Sequence, residues 1–196
     1  MSLKLNAPID TAIGILSDLG SVRYSREDLL QYANDALDQM VTIAPHLFNT
    51  EGEVECVPDE TIQSVSYDDA HALVDIRRVK DGPAVTPADR AALDAYDPNW
   101  QSPSNAGMAV NWLAIEGDPV RFLVYPPAPT GQVLKIIYTR IPGEYGEGDE
   151  TDIPATYSDA IADYIVGRAE SRDDEHVNSG RAAQFLASFV AKVRGA

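Results

Sequence analysis

Ser25-Arg26-Glu27-Asp28-Leu29-Leu30-Gln31-Tyr32-Ala33-Asn34-Asp35-Ala36-Leu37-Asp38-Gln39-Met40-Val41 decides how this chain folds. Leu29, Leu30, Ala33, Leu37, Met40, Val41 and Ala44 recur at helical spacing and form one apolar stripe. Ser25 is placed to cap the helix by accepting from the amide of Asp28. Glu27 and Asp28 put negative charge at the positive end of the helix dipole. Pro45 stops the run, so the spacing predicts a helix over 26–44. Such a stripe must be buried against something.

Partners for it lie at both ends of the sequence. Ile9, Ala12, Ile13 and Leu16 stripe a helix over 7–18, with Asn6 as its expected cap and Gly20 as its end. Tyr157, Ile161, Tyr164, Ile165 and Ala169 stripe a third, over 157–172. Ala182, Ala183, Leu186, Phe189, Val190 and Val193 stripe a fourth, over 180–194, and Asp173-Asp174-Glu175 breaks the two apart. The middle has a period of two instead. Strands are expected at 52–57, 61–66, 73–79, 109–116, 119–126 and 132–141. Gly117-Asp118 reads as a tight hairpin turn, and 126–131, rich in proline, as a rigid hairpin loop. The last strand is apolar on both faces, as in a sandwich or beneath a helix. One short helical turn fits 87–96, and 143–151 reads as an acidic linker. The expected class is α+β: a helical bundle of residues 1–50 and 145–196, with an antiparallel β-rich insertion over 51–144.

Composition narrows the function classes. The 196 residues carry 31 acids against 15 Lys and Arg, a net charge of −16. Between Glu144 and Glu175 there are eleven acids and two arginines, so nine of those negative charges fall in one run, read as solvated. Broad phosphate-backbone binding draws its affinity from cations and is not expected here. No apolar run approaches the ~20 residues of a membrane span, and the N-terminus lacks the apolar stretch of a signal peptide. A reducing cytoplasm fits the lone Cys56, read as a small strand residue.

No catalytic constellation emerges. His46, His71 and His176 are scattered, and His176 beside Asp173, Asp174 and Glu175 reads as a turn rather than a metal cluster. The 146–152 segment lacks the ligand pattern of a calcium loop. Neither a nucleophile elbow nor a phosphate-cradling loop is present. No catalytic residue, metal or cofactor is assigned. Candidate contact residues are Arg181, Lys192, Arg194 and Trp100. The final helix has no acids, and its cations suit either a negatively charged partner or simply the helix dipole. Trp100, in a polar loop, is an interface anchor or a core residue; Trp112, mid-strand, reads as core. From the residues alone, an interaction module that stays in the cytoplasm and a hydrolase using paired carboxylates both remain open.

Four segments, taken in order, carry a resemblance: Arg23-Tyr24-Ser25 leading into Asn34-Asp35-Ala36, Leu93 to Trp100 ending in Asp97-Pro98-Asn99-Trp100, Phe122 to Pro127, and Ile153 to Tyr157 followed by Asp163-Tyr164 and Gly167-Arg168-Ala169. Together they resemble the head-to-tail connector, or adaptor, proteins of short-tailed bacteriophages. Tyr24 stands where that family commonly has Trp, and Gly167 where it has a bulkier residue. The resemblance implies a non-catalytic virion protein at the head–tail interface, synthesised in the host cytoplasm. It implies a dodecameric ring below the portal protein that extends the DNA channel. Tail nozzle or tube proteins, and tail fibre proteins, would attach to it. Genomic DNA would pass through without specific binding, and no membrane is involved.

Overall fold

The computed structural model describes residues 2–20, 22–172 and 179–195. In chain order the elements are β1 (Ser2–Lys4), α1 (Asn6–Leu16), α2 (Arg26–Ile43), β2 (Asn49–Glu55), β3 (Ile62–Ser64), β4 (Ala70–Val79), β5 (Thr86–Pro87), α3 (Arg90–Tyr96), β6 (Asn111–Ile115), β7 (Asp118–Tyr125), β8 (Val133–Arg140), β9 (Glu150–Pro154), α4 (Ser158–Arg172) and α5 (Ser179–Gly195). They form two compact units, one of residues 1–48 with 142–196 and the other of 49–141. The fold class is α+β, with helices from both chain ends in one unit and a largely antiparallel β structure in the other. The 173–175 acids and His176 lie outside the described residues.

In the helical unit, Leu29, Leu37 and Met40 of α2 pack with Ile9 of α1, Ile161 and Ile165 of α4, and Phe189 of α5. Tyr164 and Phe189 meet edge to face with centroids 4.9 Å apart. Ser25 caps α2 as its chemistry predicts, accepting from the Asp28 amide at 3.0 Å. Ser25→Ala should cost about 1 kcal/mol, which a thermal melt reads directly.

Both ends of α1 differ from expectation. Leu5, not Asn6, occupies the cap position, and no side chain caps the helix. The helix ends at Ser17, in the left-handed conformation with φ 56°, before Gly20 is reached. Asp18 then organises the turn. Its carboxylate accepts from the backbone amides of Val22 (2.9 Å), Arg23 (3.0 Å) and Tyr24 (2.9 Å). These bonds, that from Tyr24 foremost, hold its carboxyl below the usual range. A depressed pKa adds stability above the ordinary carboxylate value, and that stability is lost as pH falls through the depressed one. Acidification below about pH 4 should therefore release this turn. Hydrogen-exchange protection at Val22, Arg23 and Tyr24 is the readout, and Asp18→Asn should lose it at neutral pH.

The supposed linker is built into the unit. Asn34 donates to the Tyr145 carbonyl (3.1 Å) and accepts from its amide (2.9 Å), while Arg26 bridges Asp10 (2.8 Å) and Glu147 (2.7 Å). The Asn6 amide reaches the Glu147 carbonyl at 3.0 Å. Past the turn, 150–154 is a strand, β9, antiparallel to β1. Sequence patterning predicts neither, because three- and five-residue strands carry too few alternations to show a period.

The β unit has two sheets, ordered β2-β8-β4 and β3-β7-β6-β5. All pairings are antiparallel except β5 with β6. Phe122 and Val124 from one sheet and Val54, Ile76, Leu134 and Ile136 from the other share one core. β8 is the central strand of its sheet; Leu134, Ile136 and Tyr138 are buried on one face, while on the other Lys135 is exposed and Ile137 half-buried. Gly117 turns the β6–β7 hairpin at φ 78°. The 126–131 segment is not a hairpin loop: β7 and β8 belong to different sheets, so it is a crossing between them. β4 is bulged at three points, between Ala70 and Ala72, Leu73 and Asp75, and Ile76 and Arg78.

β2 lies at the edge of its sheet, and Tyr67 closes part of that edge. Its hydroxyl accepts from the Glu53 amide and donates to the Glu53 carbonyl, both at 2.9 Å. The ring stacks on Tyr138 at 4.8 Å, nearly parallel. Gly52 makes this possible, since a Cβ there would sit 2.8 Å from the Tyr67 ring and 3.0 Å from that of Tyr138.

Candidate functional site

Three of the candidate contact residues lie on α5, and the structure binds two of them to their own chain. Lys192 Nζ is 2.6 Å from the Asp163 carboxylate and also reaches the Asp159 carbonyl at 3.4 Å. Arg181 pairs with Glu170 at 3.1 Å, reaches the Ile15 carbonyl at 3.4 Å, and lies over the Phe185 ring. Arg194 is exposed in the last turn and has no ion-pair partner among the described residues. The cationic face of α5 is thus largely spent on α4. Both pairs fix the register of two antiparallel helices.

Trp100 is a core residue. It is 0% exposed and packs with Leu93, Leu113 and Leu123. Its indole donates to Asp94 at 2.7 Å and meets Tyr125 edge to face at 6.2 Å. An anchor must be exposed before binding, so Trp100 is removed from the contact set. Its polar neighbours in sequence hid this, since the apolar wall comes from α3, β6 and β7. Trp112 is partly buried against the sandwich core.

The acid run is less solvated than its composition suggests. Asp163 is 6% exposed, and its Oδ2 accepts from both Lys192 and Ser188, the latter at 2.7 Å. Glu147 and Glu170 are likewise in ion pairs. Burial, with repulsion from Asp35 and Glu144, raises the Asp38 carboxyl above its usual range. Burial also pushes up the Cys56 thiol, which accepts from Gln132. Among the described residues no three His, Cys, Asp or Glu side chains converge as a metal site. No helix among them is long and apolar enough to cross a membrane.

The sequence reading passes over Leu19 and Val22. They are 87% and 90% exposed in the turn that Asp18 organises. Lone apolar residues in a loop give no periodic signal, so only the structure singles them out. At the other end of the helical unit, Tyr157, Asp159 and Ala160 at the α4 entry and Ala191, Lys192 and Gly195 of α5 border a groove of about 520 Å³, with Tyr157 and Ala160 themselves buried.

Comparison with known proteins supplies the family. No curated protein matches the chain. One solved structure, described as the neck of an empty GTA particle computed with C6 symmetry, is similar over 96% of this chain and 94% of that one. Its identity is 14% and its TM-score 0.32. A family model described as SU10 adaptor protein matches residues 9–196. Since that match leaves out only the first eight residues, the chain belongs to the SU10 adaptor protein family.

Proposed function

We propose that this chain is a structural head-to-tail adaptor of a phage-like particle. Copies form a ring, a dodecamer, below the portal protein, extend the channel for genomic DNA, and carry the tail nozzle or tube. Tail fibre proteins are further partners. The protein is made in the host cytoplasm, works in the virion at the head–tail interface, and catalyses nothing. One observation carries this reading: the adaptor family model spans nearly the whole chain. The acid excess supports it, because a channel wall must let DNA slide, and fixed phosphate contacts would act as brakes. On α5, Arg194 is the cation best placed to meet the portal or a neighbouring subunit.

Mass spectrometry of purified particles, with imaging of the portal vertex, tests the assignment. A protein that never appears in particles, and instead stays monomeric or dimeric in the cytoplasm, is an interaction module of another kind. A mobility-shift titration with duplex DNA at physiological salt should give no measurable binding. Micromolar affinity would overturn the passive channel. Sedimentation at moderate salt should find the purified chain mainly monomeric, since a net charge of −16 sets free copies against one another. Stable dodecamers without portal would overturn that expectation.

A further inference from the structure

One bulge of β4 changes what its sheet shows to solvent. Between Ile76 and Arg78 the strand advances two residues while β8 moves only from Ile136 to Lys135. In a regular strand, successive side chains alternate between the faces, and one of Arg77 and Arg78 would point inward. Here both are exposed, while Ile76 before them and Val79 after them are buried. Bulges commonly serve to re-aim a side chain in this way.

Arg78 then stands directly opposite Lys135, which is exposed as well. Like charges facing each other across a strand pair weaken a sheet. A counterion would relieve them, yet neither has an ion-pair partner among the described residues. Glu53, opposite Lys135 on β2, bonds to Lys80 at 2.7 Å, and Glu51 pairs with Arg77 at 3.4 Å. Acids outnumber Lys and Arg by 31 to 15 in this chain, so two facing cations left without one are a local exception. Beside them is a groove of about 320 Å³. Arg77, Arg78 and Lys135 border it together with Glu51 and Glu53, and Gly52 and the buried Ile136 complete it.

We propose that this outer face of β4 and β8 docks an acidic segment of another protein, with one of its carboxylates seated between Arg78 and Lys135. The planar guanidinium of Arg78 can take both carboxylate oxygens, and the Lys135 ammonium adds a point charge. The side chains of the Arg77–Glu51 pair are 56% and 77% exposed, so that pair is weak and Arg77 can turn to the ligand. The bordering acids select among anions. A nucleic-acid backbone offers one phosphate after another and would run onto Glu51 and Glu53. A peptide carries its charges singly and can set neutral side chains over those glutamates. A small free anion gains too little from two exposed cations to be held. Charges of this kind steer and orient a partner, so the contact is weak and sensitive to salt. Such docking does not depend on ring assembly.

The test titrates the purified full chain with a capped peptide of alternating Glu and Ser, and follows the backbone amides by NMR. Saturable shifts confined to residues 75–80 and 133–137 are expected at low salt. About 1 M salt, where charges are screened beyond about 3 Å, should remove them. Arg78→Gln and Lys135→Gln should each weaken binding severalfold. Neither should melt below the unaltered chain, because each removes the opposition of like charges. Arg90→Gln, which alters a cation of α3, should bind as the unaltered chain does. Full binding by both β4 and β8 variants overturns the site, as does the lack of any shift. A marked loss of melting temperature in both makes these cations part of the fold and overturns it as well. Equal shifts from duplex DNA of the same charge, or from inorganic phosphate, overturn the choice of a protein partner. Shifts here that grow with the concentration of the chain alone give the face to a second copy instead.

Discussion

Gly167→Ala should destabilise this protein by about 1–3 kcal/mol, the usual range for overpacking a filled core. On helix propensity alone the same change would gain about 1 kcal/mol. Packing decides the sign. A Cβ at Gly167 would sit 2.8 Å from Leu186 Cγ, 2.9 Å from its Cδ2 and 3.3 Å from the Ala182 carbonyl oxygen. Cγ is the branch point of the leucine, not its free end, so the side chain cannot simply turn away. The carbonyl moves only if α5 moves. Gly167 is where α4 and α5 approach closely, and the missing side chain is the condition of that approach. Thermal melts of Gly167→Ala, and of the same change combined with Leu186→Ala, check this. The second change should recover part of the loss through coupling. An unchanged melting temperature for Gly167→Ala would mean that the helices sit farther apart.

Asp163→Ala should cost a similar or larger amount, about 2–4 kcal/mol, between the loss of a buried hydrogen-bond acceptor and the breaking of a buried ion pair. The carboxylate is buried and serves both Ser188 and Lys192. Its removal strands the Ser188 hydroxyl. Lys192 suffers less, because its side chain is 44% exposed and can turn to water; hence the effect stays below the full cost of an orphaned buried charge. Asp163→Asn keeps an acceptor for Ser188 and should lose less than half as much. Lys192→Met, read beside both by chemical denaturation, separates the ion pair from the hydrogen bond. If Asp163→Asn and Asp163→Ala melt alike, the serine bond contributes nothing.

How far the sequence speaks depends on the range over which each feature is determined. The helix over 26–43 is readable because its cap, first-turn acids and stripe all lie within the segment. α4 and α5 are readable from their apolar stripes, which also lie within each segment. The β1–β9 pair joins residues at opposite ends of the sequence, such as Lys4 with Glu150, and neither strand alone carries a signal. Trp100 stays open between anchor and core in the sequence because its neighbours there are polar, while its neighbours in space are leucines. Arg181 and Lys192 read as a free cationic face because their acidic partners lie on another helix. Gly167 is the sharpest case. Composition marks it as a weak point in a helix, and only the distance to Leu186 turns it into a requirement.

The hydroxyl of Tyr67 has a consequence for crowding. An open strand edge is a template: any extended segment with free amides and carbonyls can add to it, and copies held side by side raise the local supply of such segments. By occupying both backbone groups of Glu53, the phenol interrupts that template in the middle of β2. An extended segment brought close to this edge then finds no continuous row of main-chain partners on which to zip.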